Sequence, residues 1–115
     1  LADLQVDYID IYLVHWPVPG KHVEAYLALE ELHKEGLIRG LGLSNYTIED
    51  YKELMRSATV KPVVNQLEVN PFLNRAKTLR FFTDEGLTIQ AYRPLAKGSG
   101  SKLQHPTLVS IAQKH

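Results

Sequence analysis

Four short stretches of this chain place side chains that can do chemistry at the end of an apolar run. "LVHWP" (13–17) sets His15 and Trp16 just ahead of Pro17, and "LSNY" (43–46) presents Ser44 and Asn45. "NQLEVN" (65–70) presents Gln66 and, four residues on, Asn70, while "AYRP" (91–94) presents Tyr92. The set contains two large half-polar rings, carboxamides, a hydroxyl and a phenol. Such a neutral polar set suits an uncharged planar ligand that needs hydrogen bonds and a stacking surface.

The elements that must gather these residues form a repeat. Strand-like runs rich in Val, Ile, Leu and Tyr occupy 8–16, 37–45, 62–70 and 87–95. Their starts are 29, 25 and 25 residues apart. Helical spacing fills the gaps. Ala25, Ala28, Leu29 and Leu32 fall at i, i+3, i+4, i+7, and so do Tyr51, Leu54, Met55 and Ala58. Thr47 and Asp50 have the spacing of a capping box. A third helix is expected over 76–85 with Leu79 and Phe82 inward, and a fourth from Pro106. "KEGLIRG" and "DEGLTIQ" both leave a helix through glycine, so Gly36 and Gly86 are expected as left-handed C′ residues. Repeated β-α units with short links imply right-handed crossovers and a parallel sheet. Four units fit half of an eight-fold barrel, or part of an open doubly wound sheet.

Strand parity places Gly40, Gly42 and Ser44 on one face, and Val64, Gln66 and Glu68 on one face. Polar groups on a buried parallel strand are expected where its C-terminal end meets a ligand.

Bulk composition narrows the class. The chain has 115 residues, 44% hydrophobic and 23% charged, which is ordinary for a globular domain. Thirteen basic and thirteen acidic residues balance, so no basic stripe marks a nucleic-acid partner. No apolar run is long enough to span a membrane, and no signal-peptide pattern opens the chain. Cysteine is absent, which removes disulfides and thiolate chemistry and fits a reducing cytoplasm. The remaining histidines have no HExxH-like spacing, so no metal site is expected. Leu1 in place of Met, and a helical pattern still running at His115, read as an internal piece of something longer. The two outer strand runs would then be open edges with apolar inward faces, so the piece either needs the rest of its fold or self-associates.

"DYIDIYLVHWP", "GLIRGLGLSNY", "KPVVNQLEVNPF" and "GLTIQAYRPLA", in this order and covering essentially the whole chain, resemble the aldo-keto reductases. The resemblance implies a (β/α)8 TIM barrel using NADPH to reduce the carbonyl group of a small aldehyde or ketone. Residues 1–115 would be one internal segment of that single domain, strands four to seven, with no second domain. His15 would match the histidine that bonds the substrate carbonyl oxygen, and Trp16 would wall the substrate pocket. Ser44, Asn45 and Gln66 would hold the nicotinamide carboxamide, Tyr92 would stack on the ring, and the backbone at Leu95 would approach the pyrophosphate. Arg93 replaces a common serine and either serves a phosphate or points outward. The Gly/Ser-rich stretch 96–104 reads as a flexible loop. The family's catalytic tyrosine, lysine and aspartate match nothing here, so the piece alone is expected to be inactive. A non-enzymatic relative, or a structural or regulatory barrel protein, is the alternative.

Overall fold

The computed structural model describes residues 1–115. A 3-10 turn (Ala2–Leu4) leads into β1 (Ile9–Val14), α1 (His22–Lys34), β2 (Ile38–Ser44), α2 (Ile48–Leu54) and β3 (Val64–Glu68). Then come α3 (Ala76–Asp84), β4 (Thr88–Tyr92), a second 3-10 turn (Ala96–Gly98), α4 (Gly100–Leu103) and α5 (Pro106–Ala112). The strands form one parallel sheet in the order β1-β2-β3-β4. All four β-α rounds anticipated from the spacing are present. β2 and β4 stop short of their apolar runs, because Asn45 and Arg93 turn to φ +63° and +51° and take the chain out of the sheet.

Register assigns the two faces. Leu13, Gly42, Val64 and Thr88 lie side by side on one face, and Val14, Leu43, Asn65 and Ile89 on the other. The helices pack on the second, outer face. There Leu41, Leu43, Leu67, Tyr26, Tyr46, Tyr51, Leu54 and Phe82 form a closed core. On the inner face a Cβ at residue 42 would run into Leu13 and Val64, so only glycine fits. The inner face has no second layer, and Ile11 stays 50% exposed. The radius of gyration is 17.3 Å. A compact domain of about 100 residues has roughly 13 Å, so the chain forms an open shell.

Local signals account for the helix ends. Thr47 Oγ1 accepts from the Asp50 amide at 3.1 Å, and Asp50 Oδ2 accepts from the Thr47 amide at 2.9 Å, so the capping box forms. Gly36 and Gly86 sit at φ +79° and +82°. Leu37 N–H reaches back to Leu32 and Leu87 N–H to Phe82, closing both helices in the same way.

Two expectations are corrected. The stripe Ala25, Ala28, Leu29, Leu32 is not the packed face of α1. Ala25, Ala28 and Leu32 are exposed, whereas Tyr26, His22 and Glu30 are buried. Tyr26 and Glu30 are admitted to the core because their polar atoms are bonded, whereas His22 Nδ1 is buried without a partner. Tyr26 OH donates to the Val60 carbonyl at 2.8 Å, and the Glu30 carboxylate accepts the Thr59 and Val60 amides at 2.7 Å each. The 96–104 stretch is not an irregular loop. It folds into the second 3-10 turn and α4, closed by Leu103 N–H to Ser99 and Gln104 N–H to Gly100 at 2.9 Å each.

Candidate active site

The C-terminal ends of the four strands open onto one cavity of about 510 Å3. His15 and Trp16 leave β1, Ser44 and Asn45 end β2, Gln66 and Glu68 come from β3, and Tyr92 and Arg93 end β4; all eight line it. The geometry expected of the strand ends is therefore present. Two residues depart from it. Leu95 does not line the cavity and is 66% exposed on the loop after β4. Asn70 does not line it either, because its side-chain Oδ1 accepts the Phe72 amide at 3.1 Å and caps its own turn.

Asn45 ties the mouth together. Its Nδ2 donates to the His15 carbonyl and to Ser44 Oγ, both at 3.0 Å, and its Oδ1 accepts from Tyr92 OH at 2.7 Å. One amide thus links β1, β2 and β4. Ser44, 1% exposed, donates to the Gln66 carbonyl at 3.1 Å. Gln66 Nε2 donates to Gln90 Oε1 at 2.7 Å. Gln90 was missed in the sequence, although parity with Tyr92 and pairing with Gln66 place it on the inner face. Glu68 pairs with Arg93 at 3.4 Å, so the one cation of the cavity wall is drawn across its rim onto a carboxylate.

The rings of His15 and Trp16 stand 6.1 Å apart at a tilt of 58°. Both side chains are exposed, Trp16 by 55%. His15 joins the network only through its backbone carbonyl, and its imidazole nitrogens make no hydrogen bond within the chain. The tyrosines divide cleanly. Tyr26, Tyr46 and Tyr51 lie in the outer core. Burial, with the Glu30 charge in support, pushes the Tyr26 phenol far up, and burial beside Asp50 does the same to Tyr46. Burial and a hydrogen bond to Glu85 raise Tyr51 to about 12. The only phenol on the cavity is Tyr92, and its hydroxyl donates to Asn45.

A second hollow, about 590 Å3, is lined by Ile11, Leu13, Val64, Thr88 and Gln90 of the inner face together with Val63 and Ile89. It is mostly apolar and belongs to the uncovered interior rather than to the polar mouth. No cluster of three or more His, Asp or Glu side chains stands close enough to hold a metal ion. No helix is long and apolar enough to cross a membrane.

Parallel β-α units with a polar site at the strands' C-terminal ends are the plan of the α/β proteins, shared by closed barrels and open sheets. A model of the aldo/keto reductase family matches residues 1–109, and the chain belongs to that family. An uncharacterized oxidoreductase, YtbE, of Bacillus subtilis (strain 168) is 44% identical over all 115 residues, which cover 40% of its length. A glyoxal reductase of the same organism is 39% identical over the whole chain, covering 41% of its own length. Among solved structures, an aldo/keto reductase from Brucella melitensis superposes with a TM-score of 0.87 at 37% identity, over 100% of this chain and 44% of that one. A Bombyx mori aldo-keto reductase in complex with NADP gives 0.74 at 29% identity, over 81% of this chain and 33% of that one. The fold is accordingly a partial barrel. The chain spans about two fifths of the length of the curated relatives it matches.

Proposed function

We propose that this chain supplies strands four to seven, with their helices, to a single (β/α)8 domain. The whole protein is a cytoplasmic, NADPH-dependent reductase of small aldehydes or ketones. The observation that carries this reading is the single cavity shared by His15, Trp16, Ser44, Asn45, Gln66 and Tyr92 at four strand ends.

The donor set fits a nicotinamide carboxamide. After donating to Gln90, the Gln66 side chain keeps its Oε1 and one N–H. Asn45 Oδ1 keeps a lone pair beside the one taken by Tyr92. Tyr92 is half-buried with its hydroxyl tied, so its ring plane is fixed as a flat wall for stacking. Bound there, the nicotinamide supplies the hydride. His15 bonds the substrate carbonyl oxygen through its free imidazole, and Trp16 walls the substrate side. Arg93 and the Leu95 backbone would hold the diphosphate, Arg93 on exchanging its Glu68 partner for a phosphate oxygen.

The proton donor comes from elsewhere in the protein. No phenol of this chain other than Tyr92 reaches the cavity, and the raised values of the buried tyrosines make them poor donors. A positioned general acid contributes roughly 10²–10⁴-fold, so the 115-residue chain alone does not turn over.

The test uses the full-length protein. NADPH binding followed by fluorescence, and NADPH oxidation with glyoxal, should both be positive. His15→Ala should lower kcat/KM about 100-fold while leaving NADPH affinity near wild type. Tyr92→Ala should instead weaken NADPH. Binding without turnover would make the protein a non-enzymatic relative; no binding at all would sink the reading.

A further inference from the structure

The turn that carries Asn45 is fastened from behind. Asn65 is fully buried on the outer face of β3, pointing away from the mouth. Its Nδ2 donates to the Tyr46 carbonyl at 3.1 Å. The next residue, Gln66, uses its own carbonyl to accept Asn45 N–H at 2.9 Å and Ser44 Oγ at 3.1 Å. Two successive residues of β3 therefore grip three successive residues at the end of β2, one by its side chain and one by its backbone.

That grip has a conformation to hold. Asn45 sits at φ +63°, a region in which non-glycine residues are uncommon and which asparagine tolerates best. Leaving it would swing the amide off His15, Ser44 and Tyr92 together. Asn65 also pays a cost where it stands, since its Oδ1 is buried without a partner. An apolar residue of similar size would fill the same space without that orphan. Packing therefore does not account for an amide at this position, whereas the donor to Tyr46 does.

We infer that Asn65 is a positioning residue: through the Tyr46 carbonyl it fixes the left-handed turn at Asn45, and with it the carboxamide-holding edge of the mouth. This rests on the reading of Asn45 and Gln66 as nicotinamide ligands. One hydrogen bond of this kind corresponds to about tenfold in an equilibrium.

The full-length protein tests it with Asn65→Leu, which removes the donor and keeps the bulk. Asn65→Ala gives the same readouts should the leucine variant fail to fold. Glu30→Gln is the control, because it weakens bonds to Thr59 and Val60 in the same outer layer and touches none of residues 44–46. The Asn65 variants should weaken NADPH and speed hydrogen exchange of the Asn45 amide, each by about tenfold. The kcat at saturating NADPH should fall much less. Glu30→Gln should lower Tm and leave both readouts unchanged. Wild-type affinity and protection in a folded Asn65 variant would overturn the inference, and so would equal losses in Glu30→Gln. Absence of NADPH binding by the wild-type protein overturns the functional reading instead, while exchange at Asn45 still decides whether Asn65 holds the turn.

Discussion

The two faces of the sheet come from the same residues in alternation, yet they reach different states. On the outer face Leu41, Leu43 and Leu67 are closed over by α1, α2 and α3. On the inner face Ile11 and Gln90 remain exposed. The outer partners arrive in the next helix along the chain, while the inner partners of a barrel strand are other strands across the axis. Closing the outer face is a local problem and closing the inner one is not. The mouth is the exception on the inner side. Its polar groups bond one another through Asn45, Ser44 and Gln66, so the site's edge is organised before anything covers it.

The largest test of this contrast takes the 115-residue chain by itself. Its edge strands β1 and β4 have unpaired backbone, and its inner apolar residues face water. It is expected to self-associate rather than run as a 13.0 kDa monomer with a cooperative urea transition. Size-exclusion chromatography with a urea melt reads this, and a well-behaved monomer would break the comparison. Next in size is the outer core. Phe82 is 0% exposed and packs edge-on against Tyr51 and Phe81. In the full-length protein Phe82→Ala should cost about 3–5 kcal/mol by chemical denaturation, with NADPH affinity of the remaining folded molecules unchanged.

What was legible in the sequence followed the same division. Signals carried within a few residues were readable. These include the Thr47–Asp50 box, the glycine exits at Gly36 and Gly86, and the order of four strands whose ends carry His15, Asn45, Gln66 and Tyr92. What depended on a distant partner was not. The buried face of α1 is unreadable from helical period alone, because Tyr26 and Glu30 are satisfied by residues 59–60, about thirty positions on. Asn65 reads locally as one more strand residue, because the Tyr46 carbonyl that it holds lies 19 positions back. Asn70 and Leu95 lie near the correct strand ends, but turns after the strand carry both away from the cavity. The short α4 escaped because composition says little about a single helical turn.

A smaller effect belongs to the tyrosines of the outer face. Tyr51 is raised to about 12, first by burial and then by its hydrogen bond to Glu85. The unfolded chain has the ordinary value of 10.0. The folded state therefore holds the proton more tightly. The contribution is fully present below pH 10.0 and is lost as pH rises through about 12. Tyr26 and Tyr46 shift in the same direction and extend the loss to higher pH. Alkaline titration followed by phenolate absorbance and circular dichroism should show these tyrosines ionising together with unfolding. Tyr51→Phe should flatten the first part of that fall. Stability that rises between pH 10 and 12 would contradict the assignment.

The smallest effect is also the most local. Thr47 begins α2 two residues after Asn45, and its hydroxyl accepts the Asp50 amide while donating to Asp50 Oδ2 at 2.7 Å. Thr47→Ala removes this cap and should cost about 1 kcal/mol. Because the Asn45 turn is held by β3 rather than by α2, NADPH affinity should not follow that loss. A Thr47→Ala protein whose affinity falls in step with its stability would mean that the mouth and the helix layer move as one. The separation of the two faces would then not extend to the strand ends.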